Sequence, residues 1–410
     1  MAEAAPEPCD LLLRGAAVVS WEGATPEGAD AVAVGDGRVL AVGRADDLAR
    51  RFAPRATTTL DGGLLAPAFV DAHTHPVFAA ERAEEFDLKC RGASYLEVAA
   101  AGGGILASVR AVRAAGEDEL AARVVRNLRR MQRHGTLTCE AKSGYGLSVA
   151  DELKSLRALR RAADEVGVTV LPTFLGAHAV PEEFRDDPDR YVDVLCEEAL
   201  PAVVEEGLAR AADVFVEEGA FSVAQARRYL ECARELGLAL RVHADQFHAL
   251  GGVELAVELG AESVDHLEAL TDAGLEALAL SRRTFAGLLP VVPHFCAMGR
   301  DAPARRLIQA GVPWFVATDF NPGSSYTPSP PEAAHFARRR LGLSAEEALR
   351  GVTEHAAASL GLADRGRIAP GAVADLVHLD LPGVASFGYA LGENPVRALW
   401  RAGRPVPVQP

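Results

Sequence analysis

Short apolar segments alternate with long amphipathic ones from residue 66 to about residue 360, and this alternation limits the possible folds more than any other feature. The long segments, such as Glu117–His134 and Val149–Val166, repeat apolar residues at helical spacing. Strands that alternate with helices form parallel sheets with crossover helices. Eight strand candidates occur in this span: Ala66–His73, Thr136–Ala141, Thr169–Leu175, Asp213–Val216, Ala239–His243, Ser263–Asp265, Thr284–Leu289 and Val312–Thr318. Eight such units predict an α/β fold, a TIM-type (β/α)8 barrel.

The two ends of the chain have a different pattern, in which short apolar runs alternate with turn residues. Short apolar runs lie between residues 10 and 42, and Gly35-Asp36-Gly37 between two of them is typical of a β-hairpin. Beyond Leu362, apolar runs such as Ala374–Leu379 again alternate with turn residues. We therefore predict that residues 1–65 and 362–410 form one small composite β domain, a β-sandwich, beside a barrel of residues 66–361.

Composition and charge exclude several classes of protein. The net charge of −15 argues against nucleic-acid and anionic-membrane partners, because both need a basic surface. No apolar stretch is long enough to span a bilayer, and Met1–Pro8 lack the basic start and apolar core of a signal peptide. The six cysteines are widely spaced, without a C-x-x-C pair. We therefore expect free thiols in a cytoplasmic protein.

Metal-competent side chains stand at the carboxyl ends of the strand candidates. His73 and His75 close the first one, and because alternate residues of a strand face the same side, both imidazoles can point at one spot. Barrel enzymes keep their sites at this end of the strands. One histidine so placed would be a loop or core residue, but the number here indicates a metal site. Four more such residues follow later strands: His178, His243, His266 and Asp319.

A divalent metal at this mouth could be held by His73, His75, His243 and Asp319, with one position left for water. Binding to such an ion lowers the pKa of water from about 15.7 to about 7. Asp319 could also accept the proton of that water, and His266 could polarise the carbonyl under attack. Taken alone, Asp319 would be a strand-end or helix-capping aspartate.

Longer segments resemble one enzyme family in consistent order over nearly the whole chain. His73-Thr74-His75 alone is common to the amidohydrolase superfamily, whereas Arg82, Ser143-Gly144-Tyr145-Gly146 and Asp319–Ser324 are much more specific. Together these segments resemble the imidazolonepropionase family. The matching segments are His73–Phe78, Glu85–Lys89, Gly92–Tyr95, Ala101–Ile105, Lys142–Leu147, Phe174–His178, His243–Asp245, Asp265–Leu267 and Ala317–Ser325.

The resemblance implies hydrolysis of 4-imidazolone-5-propanoate to N-formimidoyl-L-glutamate in histidine degradation, by cleavage of a ring C–N bond. It also implies one zinc or iron ion per chain, and the proposed ligand set suits either metal. An arginine fork fits a propanoate carboxylate, since the pair can be bidentate. The implied contacts to substrate or product are Arg82, Tyr145, His178, Asn321, Gly323 and Ser324.

Three departures from the family pattern concern positions other than the metal ligands. Gln246 stands where many members have glutamate, and an amide cannot accept a proton at neutral pH. Either Asp319 and His266 carry the proton while Gln246 only positions the substrate ring, or the activity differs. The segment Leu288–Phe295 differs from the usual glycine-aromatic loop and is expected to reshape one pocket wall. Ala68 replaces the usual glycine after Pro67.

Two alternatives stay open at this point. The chain could be another mononuclear metal amidohydrolase, such as a deaminase of a nitrogen heterocycle, although Gln246 speaks against a deaminase that needs glutamate and Arg82 favours an anionic substrate. It could also be a non-catalytic scaffold with the same fold, but such a chain should lack metal ligands. We expect a homodimer, because most symmetric enzymes of this kind are dimers.

Overall fold

The protein, described by a computed structural model over residues 5–19, 21, 27–92 and 103–407, contains a central sheet of eight parallel strands. Each strand pairs with the next one along the chain, and we number them barrel strands one to eight. Their bounds are Phe69–Asp71, Thr136–Lys142, Thr169–Ala177, Ala211–Val216, Ala239–Ala244, Ser263–His266, Phe285–Leu288 and Trp314–Val316. The predicted barrel is confirmed, together with the order of its strands.

The barrel closes just beyond the carboxyl ends of barrel strands one and eight. Thr74 and Phe320 form a parallel bridge there. The amide of Asp319 donates to the carbonyl of His73 at 3.1 Å, and the amide of His75 donates to the carbonyl of Phe320 at 3.0 Å. This backbone pairing sets the two histidines of the first strand directly beside the aspartate of the last one.

Amphipathic helices cover the sheet, and their ends follow from local sequence. The helix Val149–Val166 begins at Ser148, which accepts from the amide of Asp151, and ends at Gly167 with φ of 77°. Helix bounds in and around the barrel are Ala83–Cys90, Ile105–Ala114, Glu117–Arg133, Val149–Val166, Pro188–Val194, Leu200–Glu205, Val223–Glu235, Gly252–Leu259, Asp272–Ser281, Val291–Phe295, Ala304–Gln309, Pro330–Leu341, Ala345–Gly351 and Glu354–Ser359. None of the helices in the described part of the chain has the length and apolar character to cross a membrane.

The two chain ends form two smaller sheets that pack on each other. One sheet holds four strands from the N-terminal part, and the other mixes strands from both ends. Leu13 and Val32 of the first sheet share an apolar core with Leu65, Leu376 and Trp400 of the second. The predicted composite of both ends is thus confirmed. The strands are Arg38–Gly43, Ala31–Gly35, Glu7–Arg14 and Phe52–Thr59 in one sheet, and Arg404–Val406, Val396–Arg401, Leu376–Leu379, Leu64–Pro67 and Ala17–Val18 in the other.

The predicted first strand, Ala66–His73, is wrong as a single strand. The run divides at Ala68: Leu64–Pro67 pairs with Leu376–Leu379 in the mixed sheet, and Phe69–Asp71 enters the barrel. Both pieces are buried on all sides, so the apolar pattern carries no mark of the break. The domain boundary between residues 65 and 66 stays a prediction, and the strand Leu64–Pro67 spans it.

Candidate metal centre

The side chains of His73, His75, His243 and Asp319 converge at the carboxyl end of the barrel, and all four are buried. The Nε2 atom of His75 lies 3.3 Å from Nε2 of His73 and 3.4 Å from Nε2 of His243. The Oδ1 atom of Asp319 lies 3.4 Å from Nε2 of His73 and 3.2 Å from Nε2 of His75. The fold therefore brings together the four predicted ligands, and we call them the four-residue cluster.

These separations fit a bound divalent ion. In a tetrahedral site with bonds of about 2.1 Å, donor atoms lie about 3.4 Å apart, close to the distances between the donor atoms of the cluster. Three imidazoles and one carboxylate are also ligand types that zinc and iron accept. His266 lies beside the cluster and forms a second metal-competent group with His73 and His243.

Two carboxylates orient the imidazoles from the side away from the cluster. Asp265 Oδ2 lies 2.7 Å from Nδ1 of His73, and Asp213 Oδ1 lies 3.0 Å from Nδ1 of His243. When each Nδ1–H donates to its carboxylate, the Nε2 lone pair faces the cluster, as in metal-binding histidines generally. The sequence pattern predicts no role for either aspartate, because Asp213 begins one strand candidate and Asp265 ends another.

The electrostatics of the cluster favour a cation. Burial opposes ionisation of Asp319, but hydrogen bonds from His73 and His75 hold its pKa well below the ordinary value. Burial lowers the pKa of His243 to about 3, against the pull of Asp213, and it also lowers the pKa of His75. Burial opposes protonation of His73, but Asp265 and Asp319 raise its pKa to about 9, so this imidazole is charged when no metal is bound. His75 and His243 stay neutral beside the charged carboxylate of Asp319, and that combination suits a divalent ion.

A buried lysine is connected to the cluster through Asp213. Lys142 Nζ is 2.8 Å from Glu140 Oε1 and 2.8 Å from Asp213 Oδ2, and none of the three side chains contacts solvent. Burial opposes the charge on Lys142, but Asp213 and Glu140 outweigh it and raise its pKa. A continuous chain of contacts therefore runs from Glu140 through Lys142 and Asp213 to His243.

The backbone is strained where the strands end at the site. Asp245, His266 and Asp319 have φ of 54°, 87° and 51°, values that residues other than glycine rarely adopt. Asp245 and Asp319 follow barrel strands five and eight, and His266 is the last residue of barrel strand six. Such strain is concentrated at functional sites because the surrounding structure must stabilise it.

Two predicted substrate contacts form one wall beside the cluster. The ring of His178 stacks on His75, with centroids 5.3 Å apart, and lies 5.3 Å from the ring of Tyr145. His178 donates from Nδ1 to the carbonyl of Gly144 at 3.0 Å, which leaves Nε2 as an acceptor. Burial, with His75 and His243 nearby, holds its pKa well below the ordinary value. Burial also raises the pKa of Tyr145, so its hydroxyl keeps its proton.

One carboxylate holds the loop that carries Tyr145. Glu152 accepts from the backbone amides of Gly144 at 3.0 Å, Gly146 at 2.7 Å and Leu147 at 2.9 Å. It belongs to the helix that follows the loop and is buried. No role for Glu152 follows from the sequence, because a glutamate within a helix gives no sign of partners among upstream backbone amides.

Arg82 packs against the loop that follows barrel strand eight. Its Nε and Nη2 atoms donate to Glu85 at 2.8 and 2.6 Å, and Lys89 pairs with the same carboxylate at 2.7 Å. A Cβ atom on Gly323 would lie 2.1 Å from Nη1 of Arg82, so a larger residue there would displace the guanidinium group. Lys89 also donates to the carbonyl of Gly323 at 3.1 Å.

The same loop holds one oxygen of Asp319. Asn321 Nδ2 donates to Oδ2 of Asp319 at 3.0 Å and to Oγ of Ser324 at 2.8 Å, while its Oδ1 accepts from the amide of Gly323 at 2.7 Å. Ser324 Oγ donates to Oδ2 of Asp319 at 3.3 Å. These contacts leave Oδ1 of Asp319 to the histidines.

Two predicted catalytic residues have fewer contacts. His266 lies in the metal-competent group, and its Nδ1 is 3.6 Å from Oε2 of Glu268 without hydrogen bonding to it. Gln246 is buried two residues after barrel strand five, and its side chain makes no hydrogen bond to any described residue. Its catalytic role stays a prediction. Residues 93–95 and 101–102 of the matching segments lie outside the described residues. The segment Leu288–Phe295, which differs from the family pattern, contains the helix Val291–Phe295.

Comparison with solved structures shows the same fold. An adenosine deaminase from Xanthomonas campestris with bound zinc has a TM-score of 0.73 and 23% identity, with 98% of this chain and 93% of that chain covered. An atrazine chlorohydrolase mutant from Arthrobacter aurescens, complexed with zinc and atraton, has a TM-score of 0.69 and 16% identity. The match covers 96% of this chain and 94% of that chain.

Sequence comparison identifies the family as well as the fold. The model for the amidohydrolase family matches residues 92–407. The imidazolonepropionase of Rubrobacter xylanophilus is 49% identical over 380 residues, which are 92% of this chain and 90% of that protein. The imidazolonepropionase of Myxococcus xanthus is 45% identical over 407 residues, 96% of each chain. At these identities and coverages, the chain belongs to the imidazolonepropionase family of the amidohydrolases.

Proposed function

We propose that the protein hydrolyses 4-imidazolone-5-propanoate to N-formimidoyl-L-glutamate. One observation supports this substrate more than any other. Arg82 packs on the loop that holds Asp319, so its guanidinium group lies next to the metal-competent cluster. A hydrolytic centre with an adjacent guanidinium suits a cyclic amide that has a carboxylate tail. The 45–49% identity to imidazolonepropionases supports the same substrate.

The cofactor is one Zn²⁺ or iron ion per chain, held by His73, His75, His243 and Asp319. The ion would supply a water of lowered pKa and polarise the ring carbonyl. Asp265 and Asp213 support this role, because each accepts from the Nδ1–H of one imidazole and aims its Nε2 at the cluster.

Proton transfer falls to two side chains at the strand ends. Asp319 accepts a proton from the attacking water, since Asn321 and Ser324 hold its Oδ2 while Oδ1 faces the histidines. His266, beside the cluster, donates a hydrogen bond to the carbonyl oxygen as charge develops on it. The ring C–N bond then breaks, the carbonyl carbon becomes a carboxylate, and the departing nitrogen takes up the proton.

Substrate binding falls to the residues around the cluster. Arg82 binds the propanoate carboxylate, Tyr145 donates from its hydroxyl, and His178 accepts at Nε2 from the ring. Glu85 supports the role of Arg82 because it accepts from two guanidinium nitrogens and fixes the orientation of the guanidinium group. Asn321, Gly323 and Ser324 line the product end, and Gln246 positions the ring. The free thiols favour a cytoplasmic enzyme, and we expect a homodimer.

The test combines metal analysis with an assay. We expect about one zinc or iron ion per purified chain. We also expect turnover of freshly prepared 4-imidazolone-5-propanoate, monitored by the loss of the ring absorbance. His243→Ala should lose metal and activity together. A metal-replete protein that does not hydrolyse this compound would reject the proposed substrate, and a protein without metal affinity would reject the metal centre.

A further inference from the structure

A separate cavity of about 250 Å³ lies between the helix Glu117–Arg133 and the loop from His75 to Arg82. No step of the proposed reaction uses its side chains. Three of the side chains around it are arginines from one helix, in a protein whose net charge is −15. The residues that matter here are Phe78, Glu81, Arg123, Arg126, Arg130 and Tyr326.

The three arginines share one face of their helix, since they are three and four residues apart. Arg123 pairs with Glu119 at 2.9 Å, whereas Arg126 has neither an ion pair nor a hydrogen bond among the described residues. The one acidic side chain in the lining, Glu81, already accepts from the hydroxyl of Tyr326 at 2.5 Å. The cavity therefore has an excess of positive charge.

Aromatic rings hold one of these guanidinium groups in place. Arg130 lies 5.1 Å from the ring centroid of Phe320 and 4.8 Å from that of Tyr326, and its Nη1 donates to the hydroxyl of Tyr326 at 2.9 Å. A guanidinium fixed in this way loses little conformational entropy when it binds an anion. Its free N–H groups are available to a ligand in the cavity.

We propose that this cavity binds a small oxyanion of two negative charges, either phosphate or a short dicarboxylate. Guanidinium groups bind carboxylate and phosphate oxygens in bidentate fashion. The volume lies below the roughly 300–1,000 Å³ of sites for drug-sized ligands, which limits the ligand to a few heavy atoms. Arg126 makes the main ionic contact, because it has no partner among the described residues, and Arg123 and Arg130 add further positive charge.

The cavity shares a loop with the candidate metal centre. Asn127, on the cavity side of the helix, donates to the carbonyl of Pro76 at 2.9 Å, one residue after His75. At the other end of the loop, Glu81 is the neighbour of Arg82.

The experiment measures phosphate and succinate binding to the metal-loaded enzyme by titration calorimetry, with chloride added to keep the ionic strength constant. We expect one saturable site for at least one of the two anions. In Arg126→Gln its Kd should rise at least about tenfold, as for a lost charged hydrogen bond. The matched control is Arg129→Gln on the same helix, since Arg129 pairs with Glu165 at 2.8 Å and lies outside the cavity. It should bind like wild type.

A second comparison separates this cavity from the substrate site. Because Arg82 also attracts anions, Arg82→Met should retain the wild-type Kd for the anion, while Arg123→Gln should weaken binding. Equal affinity in Arg126→Gln and wild type, or loss of binding in Arg82→Met alone, would overturn the proposal. So would an Arg126→Gln variant that changes only the oligomeric state in sedimentation, because this face would then be a subunit interface.

Discussion

Lys142 and Asp213 form an ion pair of 2.8 Å inside the barrel, and neither side chain reaches solvent. Asp213 accepts at its other oxygen from Nδ1 of His243 at 3.0 Å. The ammonium group thus fixes the carboxylate that fixes the imidazole, although it never touches the cluster itself. Its contribution to stability and its contribution to metal binding can both be measured by mutation.

Lys142→Met should lower both the free energy of unfolding and the metal affinity. Removal of the ammonium leaves Asp213 and Glu140 as buried charges without a cation, which costs about 3–5 kcal/mol for a broken buried pair. Denaturant unfolding and chelator competition measure the two effects. Arg129→Met removes an exposed ion pair and should leave both near wild type. Wild-type metal affinity in Lys142→Met would show that Asp213 does not depend on this lysine to orient His243.

Arg82→Met should raise KM for the propanoate substrate while kcat changes much less. The lost contact is a charge-assisted pair worth about 1.5–3 kcal/mol, or roughly a 10- to 100-fold rise in KM. Steady-state kinetics with a metal-replete variant measure the split. Arg91→Met is the control, because Arg91 pairs with Asp87 on the surface of the same segment. If kcat falls and KM stays constant, Arg82 does not bind the carboxylate tail.

The sequence predicts the barrel and the four-residue cluster for a local reason. His73, His75, His243 and Asp319 each stand at a strand end, and parallel strands carry all such ends to one mouth. The sequence does not predict the roles of Lys142, Asp213 and Asp265, because their partners lie on other strands. The sequence of one strand does not determine its register with the next. The contacts of Glu152 are not predictable for a related reason, since its partners are backbone amides whose direction depends on the folded loop.

His355 should make stability depend on pH in the acid range. Its ring packs edge-on against Trp314 at 4.6 Å, and burial, with Arg350 nearby, lowers its pKa from the ordinary value of 6.5. The unfolded chain therefore takes up a proton near pH 6.5, whereas the folded protein takes it up only at lower pH. The free energy of unfolding falls as the pH decreases from 6.5 towards the folded pKa. His355→Phe keeps an aromatic ring on Trp314 and should reduce this slope in urea unfolding measured between pH 7 and pH 5. An identical slope in the variant would show that His355 does not contribute.

Glu152→Gln should raise KM and lower stability without loss of metal. The carboxylate accepts from the amides of Gly144, Gly146 and Leu147, and an amide side chain offers only one acceptor oxygen and turns an NH₂ group towards N–H donors. Loss of such contacts costs about 1–3 kcal/mol. The loop then releases Tyr145 from its place beside His178. Denaturant unfolding, metal content and steady-state kinetics distinguish the outcomes, with Asp164→Asn on the same helix as an exposed control. If stability falls while KM and kcat stay at wild-type values, Glu152 supports the fold alone. A rise in KM with full metal content places it as the residue that positions the substrate-binding tyrosine.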